Sequence, residues 1–202
     1  MFQASNAVLS FILTPYLIRR MGVETYGLYL IFHTAASYMA LASLGAGGAT
    51  YKYVSLYHGT GNSRALRETM SYSLLMHGVG ALAATAVLGP GARFFAVRLF
   101  HLSGPLLDSG IFVLRVAAAG ALFMALMQVA LNALPGFQRF DYYNAVLFAQ
   151  GGLVPLGIAG LLTMGLGIRG VLVWYVALTG VVSLAALWSI LRLVARADAR
   201  AS

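Results

Sequence analysis

Three cations stand where they could meet an anionic group: Lys52, Arg115 and Arg139. Lys52 closes a long apolar run. Arg115 lies about one turn inside another. Arg139 falls in the break Pro135-Gly136-Phe137-Gln138-Arg139 between two runs. A fixed cation attracts phosphate and pyrophosphate. A charge held in hydrocarbon is costly, and so is a candidate for a substrate path. Each of the three also has a plainer reading. Arg115 could snorkel to the headgroups or pair with Asp108, two helical turns earlier. Lys52 and Arg139 could serve membrane topology alone.

Gln128 and Asn132 are four apart, hence on one helical face. They suit a polar cavity wall or hydrogen bonds between helices. His33 and His77 interrupt apolar runs. Either could carry a proton or sit satisfied in a core. In the topology below they fall at opposite depths and do not form a pair. Gly45 and Ala49 are four apart beside Gly47, a spacing that lets helices approach closely and could let one flex. Tyr38, Gly45, Ala49 and Lys52 share roughly one face. Pro155, with Gly151, Gly152 and Gly157 around it, predicts a kink, a feature common where transporters build sites.

Enzyme chemistry has little to work with. Glu24, Glu68, Asp108, Asp141 and Asp198 are scattered and suit no acid–base pair. No spacing of His and carboxylate suits a metal, and there is no phosphate-binding loop. No catalytic residue, metal site or cofactor is expected. With no cysteine, disulfides and thiol chemistry are excluded.

The elements that must position these residues are read from hydrophobicity. Of 202 residues, 60% are hydrophobic and only 9% charged, against about 25% charged in a soluble domain. That is too little polar material to coat a soluble particle, so lipid is the solvent over most of the surface. Continuous apolar runs point to α-helices, which satisfy their own backbone hydrogen bonds in hydrocarbon. The net charge of +8 comes from single basic residues between the runs, not from a basic stretch interleaved with aromatics. Nucleic acid is therefore not an expected partner.

A spanning helix needs roughly 20 apolar residues. Six candidates follow: about 2–18, 26–50, 70–92, 110–134, 143–165 and 170–191. The segment 92–103, with Arg93, Arg98 and His101 among Phe94, Phe95, Leu99 and Phe100, predicts a short interfacial helix. The first run lacks the basic start and cleavage site of a signal peptide. It begins at residue 1 without a lead-in, which reads as a shortened start. With both termini in the cytoplasm, Lys and Arg number seven inside against five outside. The expected form is an all-α, multi-pass bundle in the cytoplasmic membrane, a single unit over residues 1–202 without repeats or linkers.

Three stretches then carry a resemblance. The run from Leu13 to Gly27 has a proline (Pro15), basic residues (Arg19-Arg20) and Gly22-Val23-Glu24-Thr25-Tyr26-Gly27. Ser43-Leu44-Gly45-Ala46-Gly47 is followed by Tyr51-Lys52-Tyr53-Val54, and Gly136-Phe137-Gln138-Arg139-Phe140 comes later. In this order they resemble the polysaccharide and O-antigen flippases of the multidrug/oligosaccharidyl-lipid/polysaccharide exporter superfamily. The resemblance implies the six-helix N-terminal lobe of a two-lobed transporter. It implies an isoprenoid-pyrophosphate-linked saccharide as cargo for cell-surface polysaccharide synthesis. It also implies that a C-terminal half or a second copy completes the cavity. Lys52, Arg115 and Arg139 would meet the headgroup, and Gln128 and Asn132 would line the cavity. Gly45, Gly47 and Pro155 would permit movement. An ion gradient is a candidate drive, with no ion identified. The alternatives are a small-molecule exporter of the same superfamily and a non-transporting membrane fragment.

Overall fold

The structure is a computed structural model that describes residues 13–41 and 46–201, with side chains over 13–36 and 47–199. Within those residues the chain is helical, joined by short turns, with no strand. The helices are α1 (residues 13–21), α2 (Val23–Leu41), α3 (Ala46–Gly59), α4 (Ser63–Phe94), α5 (Pro105–Gly136), α6 (Phe140–Phe148), α7 (Val154–Thr163) and α8 (Ile168–Ala201). A π-helical turn, Phe95–Leu99, extends α4, and another, Ala149–Leu153, joins α6 to α7. Four helical stretches are long and apolar enough to cross a membrane: Ser63–Leu99, Pro105–Gly136, Phe140–Thr163 and Ile168–Ala199. The chain is thus an all-α, multi-pass membrane protein.

α5 is the centre of the bundle and packs on α2, α3, α4 and α8. Its buried positions are mostly small, among them Ala117, Ala118, Gly120, Ala121, Ala130 and Ala133. Small side chains let several helices approach one axis, which gives van der Waals packing where no hydrophobic effect separates helix from lipid. At Gly120 an added methyl would come within 3.1 Å of Val176.

The expected second span, 26–50, is present as two helices, with residues 42–45 outside the described residues. Neither α2 (19 residues) nor α3 (14 residues) belongs by itself to the four membrane-length helices. Both lie along α5 in its own direction. A methyl on Gly110 would touch Leu28 at 3.7 Å, and one on Gly136 would meet Val54 at 2.8 Å. Leu28 and Val54 are as far apart in sequence as Gly110 and Gly136. The first expected span, 2–18, lies outside the described residues up to residue 12.

The expected break at Gly89-Pro90-Gly91 does not end α4, which runs on to Phe94 with Pro90 inside it. Proline removes one backbone bond. Ending the helix there would leave a whole turn of carbonyls to satisfy. The expected interfacial helix 92–103 is therefore largely the end of α4 and its π-turn. Ala92 and Ala96 are fully buried against Leu114 of α5, while Phe94 and Leu99 face outward.

The polar turns collect at two ends. At one, residues 60–62, the turn 137–139 and the last part of α8 meet. Arg67 of α4 pairs with Asp198 of α8 at 3.1 Å, and the His58 ring contacts Phe137 at 5.2 Å. Gly61, at φ +70°, makes the turn there, and the Asn62 side chain accepts from the Ala65 N–H. At the other end Met21, Leu102 and Ile168 pack together. All three ion pairs among the described side chains, Arg64–Glu68, Arg67–Asp198 and Arg139–Asp141, lie at the first end.

Candidate functional site

Pro155 organises a cleft lined by several polar side chains. Having no N–H, it cannot serve the carbonyl of Gly151, and its ring would crowd a regular turn. The chain answers with the π-turn Ala149–Leu153, in which the Val154 N–H reaches back to the carbonyl of Ala149. Such turns gather at functional sites. Gln150, Gly151, Val154, Pro155 and Ile158 form one wall of the resulting cleft.

The facing wall comes from α2. Tyr26, Tyr29, Leu30 and His33 follow the three-and-four spacing of a helical stripe, and all four line the cleft. Leu13, Thr14 and Leu17 of α1 close one side, and Tyr175 of α8 stands at the back. The cleft holds about 550 Å³, within the range of roughly 300–1,000 Å³ typical of ligand sites.

Its rings form a connected set. His33 lies edge-on to Tyr29 at 4.5 Å and to Tyr175 at 5.2 Å between centroids. Phe32, fully buried, backs Tyr175 at 5.1 Å. Tyr29 stacks on Tyr26 at 6.0 Å. Gln150 donates from Nε2 to the Thr179 hydroxyl at 3.3 Å, which orients its amide. No Lys, Arg, Asp or Glu is among the lining residues. The cleft therefore offers aromatic faces, hydroxyls, an imidazole and an amide, but no fixed charge. That chemistry fits a neutral polyhydroxylated ligand: rings cover the apolar face of a sugar, and hydroxyls and the amide meet its oxygens.

The expected headgroup cations are not gathered here. Lys52 and Arg139 lie toward one end of the bundle and Arg115 toward the other. Lys52 is exposed, its ammonium 5.5 Å from the centre of the Tyr53 ring. Arg139 makes a two-pronged contact with Asp141, at 2.9 and 2.6 Å, and stacks on Tyr142 at 4.2 Å. The hydrogen bonds to Asp141 push its guanidinium pKa still higher. Arg115 is exposed on α5, and no ion pair joins it to Asp108 among the described residues.

Gln128 and Asn132 do not line this cleft. The Asn132 amide donates at 2.7 Å to the carbonyl of Gln128, one turn back in α5. Gly47 lies against it: a Cβ there would come within 2.7–3.0 Å of the amide. Gly47 thus lets α3 approach α5, while Gly45 lies outside the described residues. Pro155 and, of the two candidate histidines, His33 belong to the cleft. His77 is buried, its Nδ1 2.8 Å from the Ser73 carbonyl, on α4 and apart from His33. Sequence reasoning passed over Tyr26, Tyr29, Gln150 and Tyr175. The signal for three of the cleft residues was legible: Tyr26, Tyr29 and His33 are a polar-aromatic stripe on an otherwise apolar helix.

No protein-family model matches the sequence, and no curated protein or solved structure is significantly similar to it.

Proposed function

We propose that this chain is the six-helix N-terminal lobe of a transporter that flips a lipid-linked oligosaccharide across the cytoplasmic membrane. The observation that carries the reading is the uncharged aromatic cleft between α2 and the π-turn before Pro155. In hydrocarbon such a set of hydroxyls, imidazole and amide is costly unless it has work to do. The motif order noted in the sequence supports the same reading.

In this scheme α2 and α3 together make the second span, and the helix ending at residue 21 makes the first. The saccharide enters the cleft, where Tyr26, Tyr29 and Tyr175 stack on its rings and Gln150 bonds its hydroxyls. The isoprenoid tail stays in the bilayer. The pyrophosphate meets cations at the membrane edge, Lys52 among them, because Arg139 is already engaged by Asp141. A second lobe, from a C-terminal half or another copy, faces the cleft, and rocking of the lobes alternates its access. The end bearing Arg64, Arg67, Arg139, Arg192 and Arg196 faces the cytoplasm, as do both termini.

The test is flipping of a fluorescent isoprenoid-pyrophosphate oligosaccharide in proteoliposomes. Each lost aromatic contact is worth about 0.5–1.5 kcal/mol. The combined Tyr26→Ala and Tyr175→Ala substitutions should therefore slow flipping about tenfold, with insertion intact. With both lobes present, from a C-terminal half or from a second copy, flipping no faster than in protein-free vesicles, or unaffected by the pair, overturns the proposal. Export of a small cationic compound in its place would favour the small-molecule exporter.

A further inference from the structure

One cationic face lies away from the cleft. On α5, Asp108, Phe112, Arg115, Ala119 and Leu122 fall on a single stripe at intervals of four, three, four and three. Phe112 is half-buried and the other four are exposed. Arg169, in the first turn of α8, holds its guanidinium 5.4 Å from the centre of the Phe112 ring. α5 contributes no residue to the cleft, so this stripe belongs to a different surface.

The Arg169 contact sets a depth scale. α5 begins at Pro105, so its first two turns rise past the start of α8. Arg115 is three residues beyond Phe112, about 4.5 Å along the axis. It therefore lies about one turn below the level at which α8 begins, not deep in the slab. An arginine stem spans that distance and brings its head to the phosphate layer. Neither Arg115 nor Arg169 is ion-paired among the described residues. The acid on the stripe, Asp108, is two turns from Arg115, about 10 Å along the axis.

We propose that Arg115 and Arg169 together hold the phosphate of an anionic bilayer phospholipid against the outer face of α5 and α8. Guanidinium groups bind phosphate oxygens in pairs. Phe112 forms the floor between them, and the exposed Ala119 and Leu122 continue the stripe as a track for an acyl chain. The bound lipid fixes the height of α5 and α8 in the membrane. The ligand is a resident lipid, not cargo, because the saccharide cleft opens elsewhere.

The test counts lipids retained by the purified chain in native mass spectrometry, with phosphatidylglycerol and phosphatidylcholine of matched chains. Phosphatidylglycerol should be retained selectively. Arg115→Gln and Arg169→Gln should each weaken its retention about fivefold, the equivalent of ~1 kcal/mol per basic residue at an anionic surface. Arg115→Lys should keep part of it, and Arg64→Gln at the other end should change nothing. Asp108→Asn should tighten retention by removing a repelling charge. Circular dichroism and monodisperse elution establish that each variant is folded. Equal retention of both lipids, or unchanged phosphatidylglycerol on the folded double variant, overturns the proposal. So does an Asp108→Asn chain that loses stability without binding lipid more tightly, since Arg115 and Asp108 would then be a structural pair.

Discussion

Gly136 is the position at which the packing of α3 on α5 can be tested most directly. A Cβ there would stand 2.8 Å from Val54 Cγ1, 2.9 Å from Val54 Cβ and 3.1 Å from the Tyr51 carbonyl oxygen. Val54 is fully buried, stiff at χ1 and has no open side to turn toward. Overpacking of this kind costs about 1–3 kcal/mol. Alanine also gains on glycine in a helix, by up to about 1 kcal/mol in an interior. The gain shrinks at Gly136, the last residue of α5. The clash therefore wins, and Gly136→Ala should destabilise by about 1–2 kcal/mol. The assay is reversible unfolding in mixed detergent micelles. Gly78→Ala is the control, because nothing lies within 4 Å of its added methyl. It should be neutral or slightly stabilising. Val54→Ala removes the nearest clashing atom but leaves the Cβ and the Tyr51 carbonyl in place. Combined with Gly136→Ala it should recover about half the loss, a coupling of roughly 1 kcal/mol. If Gly136→Ala is as harmless as Gly78→Ala, or indifferent to Val54, then α3 does not lie on α5 as described.

Two further outcomes are expected. The Thr50 hydroxyl donates to the Ser73 hydroxyl at 2.8 Å, both groups buried between α3 and α4. Ser73→Ala should cost about 0.6 kcal/mol in the same unfolding assay, because a chain opened within a bilayer finds other partners. A loss above about 2 kcal/mol, the scale of an orphaned group in a water-soluble core, would show that reference state to be wrong. For topology, the chain has no cysteine, so single cysteines report cleanly. Met164→Cys, in a turn at one end and 77% exposed, should react with an impermeant maleimide on intact cells. Asn62→Cys, at the other end, should react only after permeabilisation, and the reverse pattern would invert the assigned orientation.

The multi-pass, all-helical character was decided by composition alone. With so few charges for its length, the chain has no folded form that keeps its apolar runs out of lipid. Four spans were visible for the same reason, since length and hydropathy are local properties. The two ends were also legible, because each arginine cluster must find water wherever the helices go.

The cleft was not legible, because it depends on distance between residues remote in sequence. Tyr175 meets Phe32 and His33 only after α2 and α8 have packed. Pro155 announced a kink, but whether that kink faced lipid or a cavity depended on what lay opposite. The break expected at Pro90 failed for a related reason: lipid penalises a helix end more than one missing hydrogen bond. Lys52, Arg115 and Arg139 looked alike as isolated cations. Arg139 is set apart locally, by Asp141 two residues on, whereas tertiary structure set Arg115 apart, by placing Arg169 over Phe112 one turn above it. The sequence by itself determined the solvent of this protein and the form of its backbone, because both follow from local composition. Which polar groups share a site was decided by packing around the small residues of α5, which lets distant helices approach closely enough for their side chains to meet.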